Sequence, residues 1–274
     1  MTSKLSAKES AVLAAIELNA DLEAKQVAKI TGHTERTARY CIHKLVEGGV
    51  VRRMPLVNTY LLGLEEYLVY FSMGPLGASL RSSVETCLIN SDKVKWLAQC
   101  GGEFQYAMVV VVTSPRQLFD FMSELSGKFR DIFFKKEVVI PVSFMMLGRK
   151  YLFTRKRVQA IAVGDTGLRV SLEQPDHEIL SALEANPSAS SLEVSRKIGI
   201  PASTVAYRIK RLKSQGIIVR FVYNVVEGLL KPYHVRMLVY SSGMSRDTAQ
   251  KVLDYAKAHP NVAFFHHTIG PWDY

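Results

Sequence analysis

The chain has 274 residues, 48% of them hydrophobic, a formal net charge of +10 and a pI of about 9.5. Three widely spaced cysteines (Cys41, Cys87, Cys100) with no CxxC pair argue against a disulfide framework or a structural zinc site. No apolar signal core opens the chain, and its longest apolar run, residues 106–112, is far too short to span a bilayer. A cytoplasmic protein of two or more domains with no metal is therefore expected. Its basic balance favours a polyanion, although charge alone does not separate DNA from RNA or an acidic membrane surface.

The first segment reads as three helices. Val12, Leu13, Ile16 and Leu18 suit one helix face, Val27 and Ile30 point inward from a second helix over 22–30, and Gly32 supplies the turn. Thr34 is placed to cap a third helix with Ala38, Ile42 and Leu45 on its buried side, ending at Gly48-Gly49. Residues 50–53 read as a strand entering a wing. This is a helix-turn-helix, whose third helix enters the major groove with its N-terminal residues at base edges. The outward candidates for DNA contact are Thr34, Glu35, Arg36, Arg39, Tyr40 and His43, followed by Arg52 and Arg53.

Next comes a βαββαβ order. Strands are expected at 67–73, 94–100, 104–112 and 138–146, and helices at 78–89 and 115–127. That order predicts a ferredoxin-like fold. A charged stretch over 148–167, with Arg149, Lys150, Arg155, Lys156 and Arg157, reads as a basic linker, either solvated or lying along DNA phosphate.

The chain then repeats itself. At an offset of 167, Leu13 falls on Leu180, Ile16 on Leu183, Val27 on Val194, Gly32 on Gly199, Thr37 on Thr204, Tyr40 on Tyr207, Leu45 on Leu212 and Gly49 on Gly216. At an offset of 168, Val94 falls on Val262, Gly102 on Gly270, Phe104 on Trp272 and Tyr106 on Tyr274. These are core and turn positions, so the order is A-B-A′-B′. The second trio has helices at 191–198 and 202–215, with Pro201 in the first turn of the latter and a strand at 217–220. Its outward candidates are Ser203, Thr204, Ala206, Tyr207, Arg208, Lys210, Arg211 and Arg220. B′ gives a strand at 235–241, a helix at 245–258 and a strand at 262–269. Its third strand would begin at Tyr274, so it is expected to be truncated or to be completed from elsewhere.

The expected fold class is α+β: winged helix-turn-helix domains at 1–62 and 172–232 alternate with ferredoxin-like domains at 63–147 and 233–274, the second partial, with a linker at 148–171. The stretches Asp176-His-Glu-Ile-Leu-Ser-Ala-Leu-Glu and Ile200-Pro-Ala-Ser-Thr-Val-Ala-Tyr-Arg-Ile-Lys-Arg-Leu-Lys-Ser-Gln-Gly-Ile-Ile resemble the DNA-binding domain of the Lrp/AsnC (leucine-responsive) regulators, and residues 8–53 are similar but more divergent. The family carries Ser where Pro201 stands and Arg where Cys41 stands. Those departures imply a missing side-chain cap in A′ and a missing phosphate contact in A.

The resemblance extends to the effector domain, whose Gly-Asp-Tyr-Asp turn is matched by Gly102-Glu103-Phe104-Gln105 and Gly270-Pro271-Trp272-Asp273. It implies double-stranded DNA as partner, homo-oligomerisation through the ferredoxin-like domains, and an amino-acid-like effector held near Gly102, Phe104, Gln105, Gly270, Trp272 and Asp273. Pro271 removes a backbone amide there, and Gln105 replaces an acid.

No GxSxG, P-loop, GxGxxG or HExxH motif occurs, so no catalytic residue and no cofactor is expected. His266 and His267, adjacent on an expected strand, should point to opposite faces. Siroheme decarboxylases, which resemble these regulators in both domains and are in some cases tandem, supply an enzymatic alternative. Their His-Asn-Tyr and Asn-x-Trp-Phe signatures are absent from this sequence. A third reading is an assembly partner whose heads no longer bind DNA.

Overall fold

The structure, a computed structural model, describes residues 5–153, 159–230, 234–241 and 245–274. Head A is built from α1 (Ala7–Ile16), α2 (Ala24–Thr31) and α3 (Glu35–Glu47). Ser6 and Glu9 form a reciprocal capping box at the start of α1, satisfying two orphan amides. Gly32 follows α2 at φ 72°, a left-handed conformation that a Cβ would strain. The strand β1 (Val51–Val57) leaves the head. Cys41, where the resemblance implied a missing phosphate contact, is buried beside Ala38 and Leu45, so its position is a core position.

Unit B contains β2 (Glu65–Ser72), α4 (Ala78–Ile89), β3 (Val94–Gln99), β4 (Tyr106–Val112), α5 (Pro115–Lys128) and β5 (Lys135–Met146). The sheet order β3-β4-β2-β5 is antiparallel at each pairing, as the ferredoxin-like reading requires. Val84 and Leu88 of α4 and Leu118, Phe121 and Leu125 of α5 pack on Val69, Phe71, Tyr106 and Met108 of the sheet.

The described part of the expected linker is partly interior. It forms β6 (Ile161–Gly164) on β5. Arg149 is buried, with its guanidinium paired to Glu17 at the end of α1. The Lys150 ammonium donates to the Val262 carbonyl at 2.5 Å, and burial pulls its pKa down. Neither is free for DNA phosphate: a charge run in sequence carries no information on burial, and here two of its members tie head A to the C-terminal segment. Arg155, Lys156 and Arg157 lie outside the described residues.

The second trio comprises α6 (Gln174–Ala185), α7 (Ser191–Ile198) and α8 (Ala202–Ser214), followed by β7 (Ile218–Val225) and the short α9 (Glu227–Leu230). Pro201 stands one place before α8, as its N-cap without a side-chain bond. Then come α10 (Arg246–Ala258), capped by Ser245, and β8 (Phe264–Ile269). Residues 235–241, expected as a strand, have no assigned strand. Val239 nonetheless donates to the Tyr274 carbonyl at 2.9 Å and accepts from Tyr274 at 3.2 Å. The residues 168 places earlier, Phe71 and Tyr106, are partners in the β2–β4 ladder.

Two pairings join the halves. In the first, the two strands that leave the heads, β1 and β7, pair antiparallel with each other. Shifting each residue by 167 carries Arg53↔Tyr223 onto Leu56↔Arg220, and Met54↔Val222 onto Pro55↔Phe221, so the central ladder maps onto itself. A two-fold axis relating the heads, passing between Met54 and Pro55, has this property. The cores follow suit: Tyr223 and Val225 complete the core of the first head, and Leu61 and Val57 enter that of the second. In the second pairing, β8 lies along the distal half of β5, from Met146↔Phe264 to Ile140↔Ile269. Between the units, Tyr70, Phe104 and Trp272 form an aromatic cluster, with ring centroids 5.0 Å apart for Tyr70 and Trp272 and 6.3 Å for Phe104 and Trp272. No helix among the described residues is long and apolar enough to cross a membrane.

Candidate nucleic-acid interface

The third helix of each trio carries the expected reading residues. Thr34 caps α3 by accepting from the Thr37 amide at 3.2 Å. Glu35 and Arg39 pair across one helical turn at 2.6 Å, as do His43 and Glu47 at 3.1 Å. Arg36 and Arg52 are exposed. On α8, Ser203 and Lys210 are exposed and Thr204 is half-buried; Arg220 is half-buried on β7. Tyr40 and Tyr207, equivalent at the 167 offset, are 64% and 65% exposed, so each head presents a phenol at the same outward place.

Three expected DNA contacts have another task. Arg53 donates to Asp21 at 2.8 Å and to the Pro187 carbonyl at 2.7 Å, and its guanidinium lies 3.8 Å over the Phe221 ring. Lys213 reaches the same Asp21 at 2.7 Å, so these cations bind one head to the other. Arg208 and Arg211 both turn back to Asp176, which is fully buried, and to Glu173. A buried carboxylate without a countercharge is costly, which fixes both guanidiniums on α6. The two arginines in turn hold the Glu173 carboxyl below its usual range. The position of Cys41 corresponds to Arg208, so the departure at Cys41 removes an internal clamp from head A, not a phosphate contact.

A simpler clamp stands in head A: Lys44 meets the buried Glu9 at 2.5 Å and lowers its pKa. Glu9 and Lys44 fall on Asp176 and Arg211 at the same offset. An acid at the third position of the first helix, answered by a base 35 residues later in both copies, was the available sequence signal for this pairing.

The turn residues expected to face an effector are engaged in the fold. Phe104 and Trp272 are buried in the aromatic cluster. The Gln105 side-chain oxygen accepts from the Met73 amide at 3.2 Å, and Asp273 accepts from the Ser241 amide at 2.7 Å, an equivalent bond at the 168 offset. Gly102 and Gly270 take positive φ, and a Cβ at Gly270 would press on Val139. These bonds tie each turn back to a segment earlier in its own unit. His266 and His267 lie on β8. The His266 ring lies tilted against Phe144 with centroids 4.7 Å apart, His267 bonds Ser143 at 3.1 Å, and His266 Nδ1 and His267 Nε2 are buried without hydrogen-bond partners. Among the described residues, no group of three or more His, Cys, Asp or Glu could hold a metal.

These features define a winged helix-turn-helix DNA-binding protein, and residues 172–219 match that family. A helix-turn-helix-type transcriptional regulator of Pyrococcus abyssi is 32% identical over 110 residues, covering 37% of this chain and 69% of the relative. The transcriptional regulator AzlB of Bacillus subtilis is 31% identical over 106 residues, covering 38% and 68%. The chain belongs to the Lrp/AsnC family of helix-turn-helix transcription regulators. In fold, 92% of the chain matches 74% of the siroheme decarboxylase NirDL, with TM-score 0.55 and 17% identity.

Proposed function

We propose that this chain is a tandem duplication that regulates transcription by setting two non-identical reading heads on one duplex site. The observation carrying the reading is the β1–β7 ladder, whose register maps onto itself when the heads are exchanged. In an ordinary homodimer two equal heads read two equal half-sites. Here the frame lies within one chain, and Glu35, Arg36, Arg39 and His43 stand where the other head has Ala202, Ser203, Ala206 and Lys210. Different donors and acceptors prefer different bases, so the site should have unequal halves. A cytoplasmic setting fits this role. The effector and any further oligomerisation lie beyond what the reading needs.

Footprinting on duplexes selected by the purified chain tests it. One chain per site is expected, with a non-palindromic consensus. Arg39→Ala with His43→Ala should relax one half, and Ser203→Ala with Lys210→Ala the other, by about 1–3 kcal/mol per lost base contact. A palindromic consensus with both halves equally sensitive to the first pair would overturn it.

One observation favours a second reading, a tetrapyrrole decarboxylase-like enzyme: the likeness in fold to NirDL spans nearly the whole chain. Siroheme mixed with the purified protein should leave its absorbance band unshifted under the regulatory reading. A saturable shift would favour the enzyme.

A further inference from the structure

On the outer side of head A, between the start of α1 and α3, lies a groove of about 420 Å³ lined by Lys8, Glu9, Arg36, Thr37, Tyr40 and Lys44 among others. Three cations face one carboxylate there, and that carboxylate is already held by Lys44. Lys8 and Arg36 are exposed and form no ion pair among the described residues.

The same place in the other head is built differently. Lys8 corresponds to Pro175 and Arg36 to Ser203, while Ser6 corresponds to Glu173. Glu173 bridges Arg208 at 2.9 Å and Arg211 at 3.2 Å, and Asp176 takes the other arm of each. Two guanidiniums thus meet two carboxylates, and the charge is spent within the head. Thr and Tyr remain at equivalent positions in both (Thr37 and Thr204, Tyr40 and Tyr207), so the hydroxyls are shared and the charge is not.

We infer that the groove of head A is a seat for one backbone phosphate of duplex DNA, and that Glu173 occupies the corresponding seat in the second head in place of a phosphate. This rests on the DNA-reading proposal above and adds a division of labour to it. Head A anchors through charge, with Lys8 and Arg36 supplying donors, the Thr37 and Tyr40 hydroxyls beside them, and Lys44 balancing Glu9. The second head holds its side of the duplex without that anchor, so base contacts weigh more in its share of the affinity.

The test is the salt dependence of duplex binding by the full chain. Lys8→Gln with Arg36→Gln should flatten the slope of log K against log salt by about one unit, since each phosphate neutralised contributes about 0.9. Glu173→Gln should steepen it by a similar amount, because it opens the second seat and frees for phosphate the guanidinium arms that Glu173 holds, Asp176 keeping the other arm of each; glutamine keeps a side-chain oxygen for the helix cap. Thermal melts of both variants establish that they fold. Slopes unchanged in folded variants, with the wild type binding DNA normally, would overturn the phosphate seat and leave the two-head reading standing. A wild type that retains no duplex at low salt would overturn both. A gain of affinity in Glu173→Gln excludes misfolding as the source of its effect.

Discussion

Replacing Arg149 by alanine is expected to lower the stability of the fold by about 3–5 kcal/mol, the cost of stranding a buried charge. The side chains of Arg149 and Glu17 are 3% and 1% exposed. The Glu17 carboxylate also accepts from the Arg149 amide at 2.9 Å, and the guanidinium lies 5.5 Å over the Phe264 ring. Without the arginine, Glu17 must either stay ionised in the interior or take up a proton, and both states are unfavourable. Urea denaturation should show a lower midpoint at an unchanged slope. The paired change Glu17→Met with Arg149→Met should recover much of the loss, because an apolar pair leaves no charge behind. An Arg149→Ala chain as stable as wild type would remove this contact from the account of how head A is held to the C-terminal segment.

The second expectation concerns acid. Burial, with Arg236 nearby adding repulsion, pushes the pKa of His266 down to about 3, and burial also lowers that of His267. In the unfolded chain His266 titrates near 6.5. Above that value neither state takes up a proton there, and stability is flat with respect to this group. As pH falls below it, the unfolded chain binds protons that the folded one refuses, and stability drops by up to about 1.4 kcal/mol per pH unit and histidine. The carboxylates with depressed pKa, Glu9, Asp21, Asp165, Glu173 and Glu193, begin to withdraw their contribution only near their own unfolded values, about pH 4. Between pH 6.5 and 5 the loss therefore belongs to the histidines on β8. Denaturation across that window should show it, and His266→Phe should flatten the curve. A wild type equally stable at pH 5 and 6.5 would contradict the burial of a neutral His266.

The helices and turns were legible because core and turn residues recur at fixed spacing. Gly32 and Gly199 end their helices in left-handed conformations, and the ends of α4 and α7 fall where the pattern put them. Partnerships over long distance were not legible. A strand such as 50–53 shows that it needs a neighbour without showing which one, and the true partner stands about 170 residues away. The outward faces of α3 and α8 follow from helical period, yet Arg208 and Arg211 sit at the margin of that face, where a buried acid on another helix decides their direction. Likewise Phe104 and Trp272 were recognisable as equivalent, but only the folded chain reveals that they meet in one aromatic cluster.

The β1–β7 ladder also fixes an order of events during synthesis. The core of head A contains Tyr223 and Val225, so its interior cannot close until most of the chain has left the ribosome. Contacts so remote in sequence carry a large loop-closure cost before they return anything. The N-terminal trio must therefore wait, half-covered, with apolar surface in reach of other nascent chains. A protein whose first domain is finished by its last third depends on holdase protection during translation more than one whose domains complete themselves in turn.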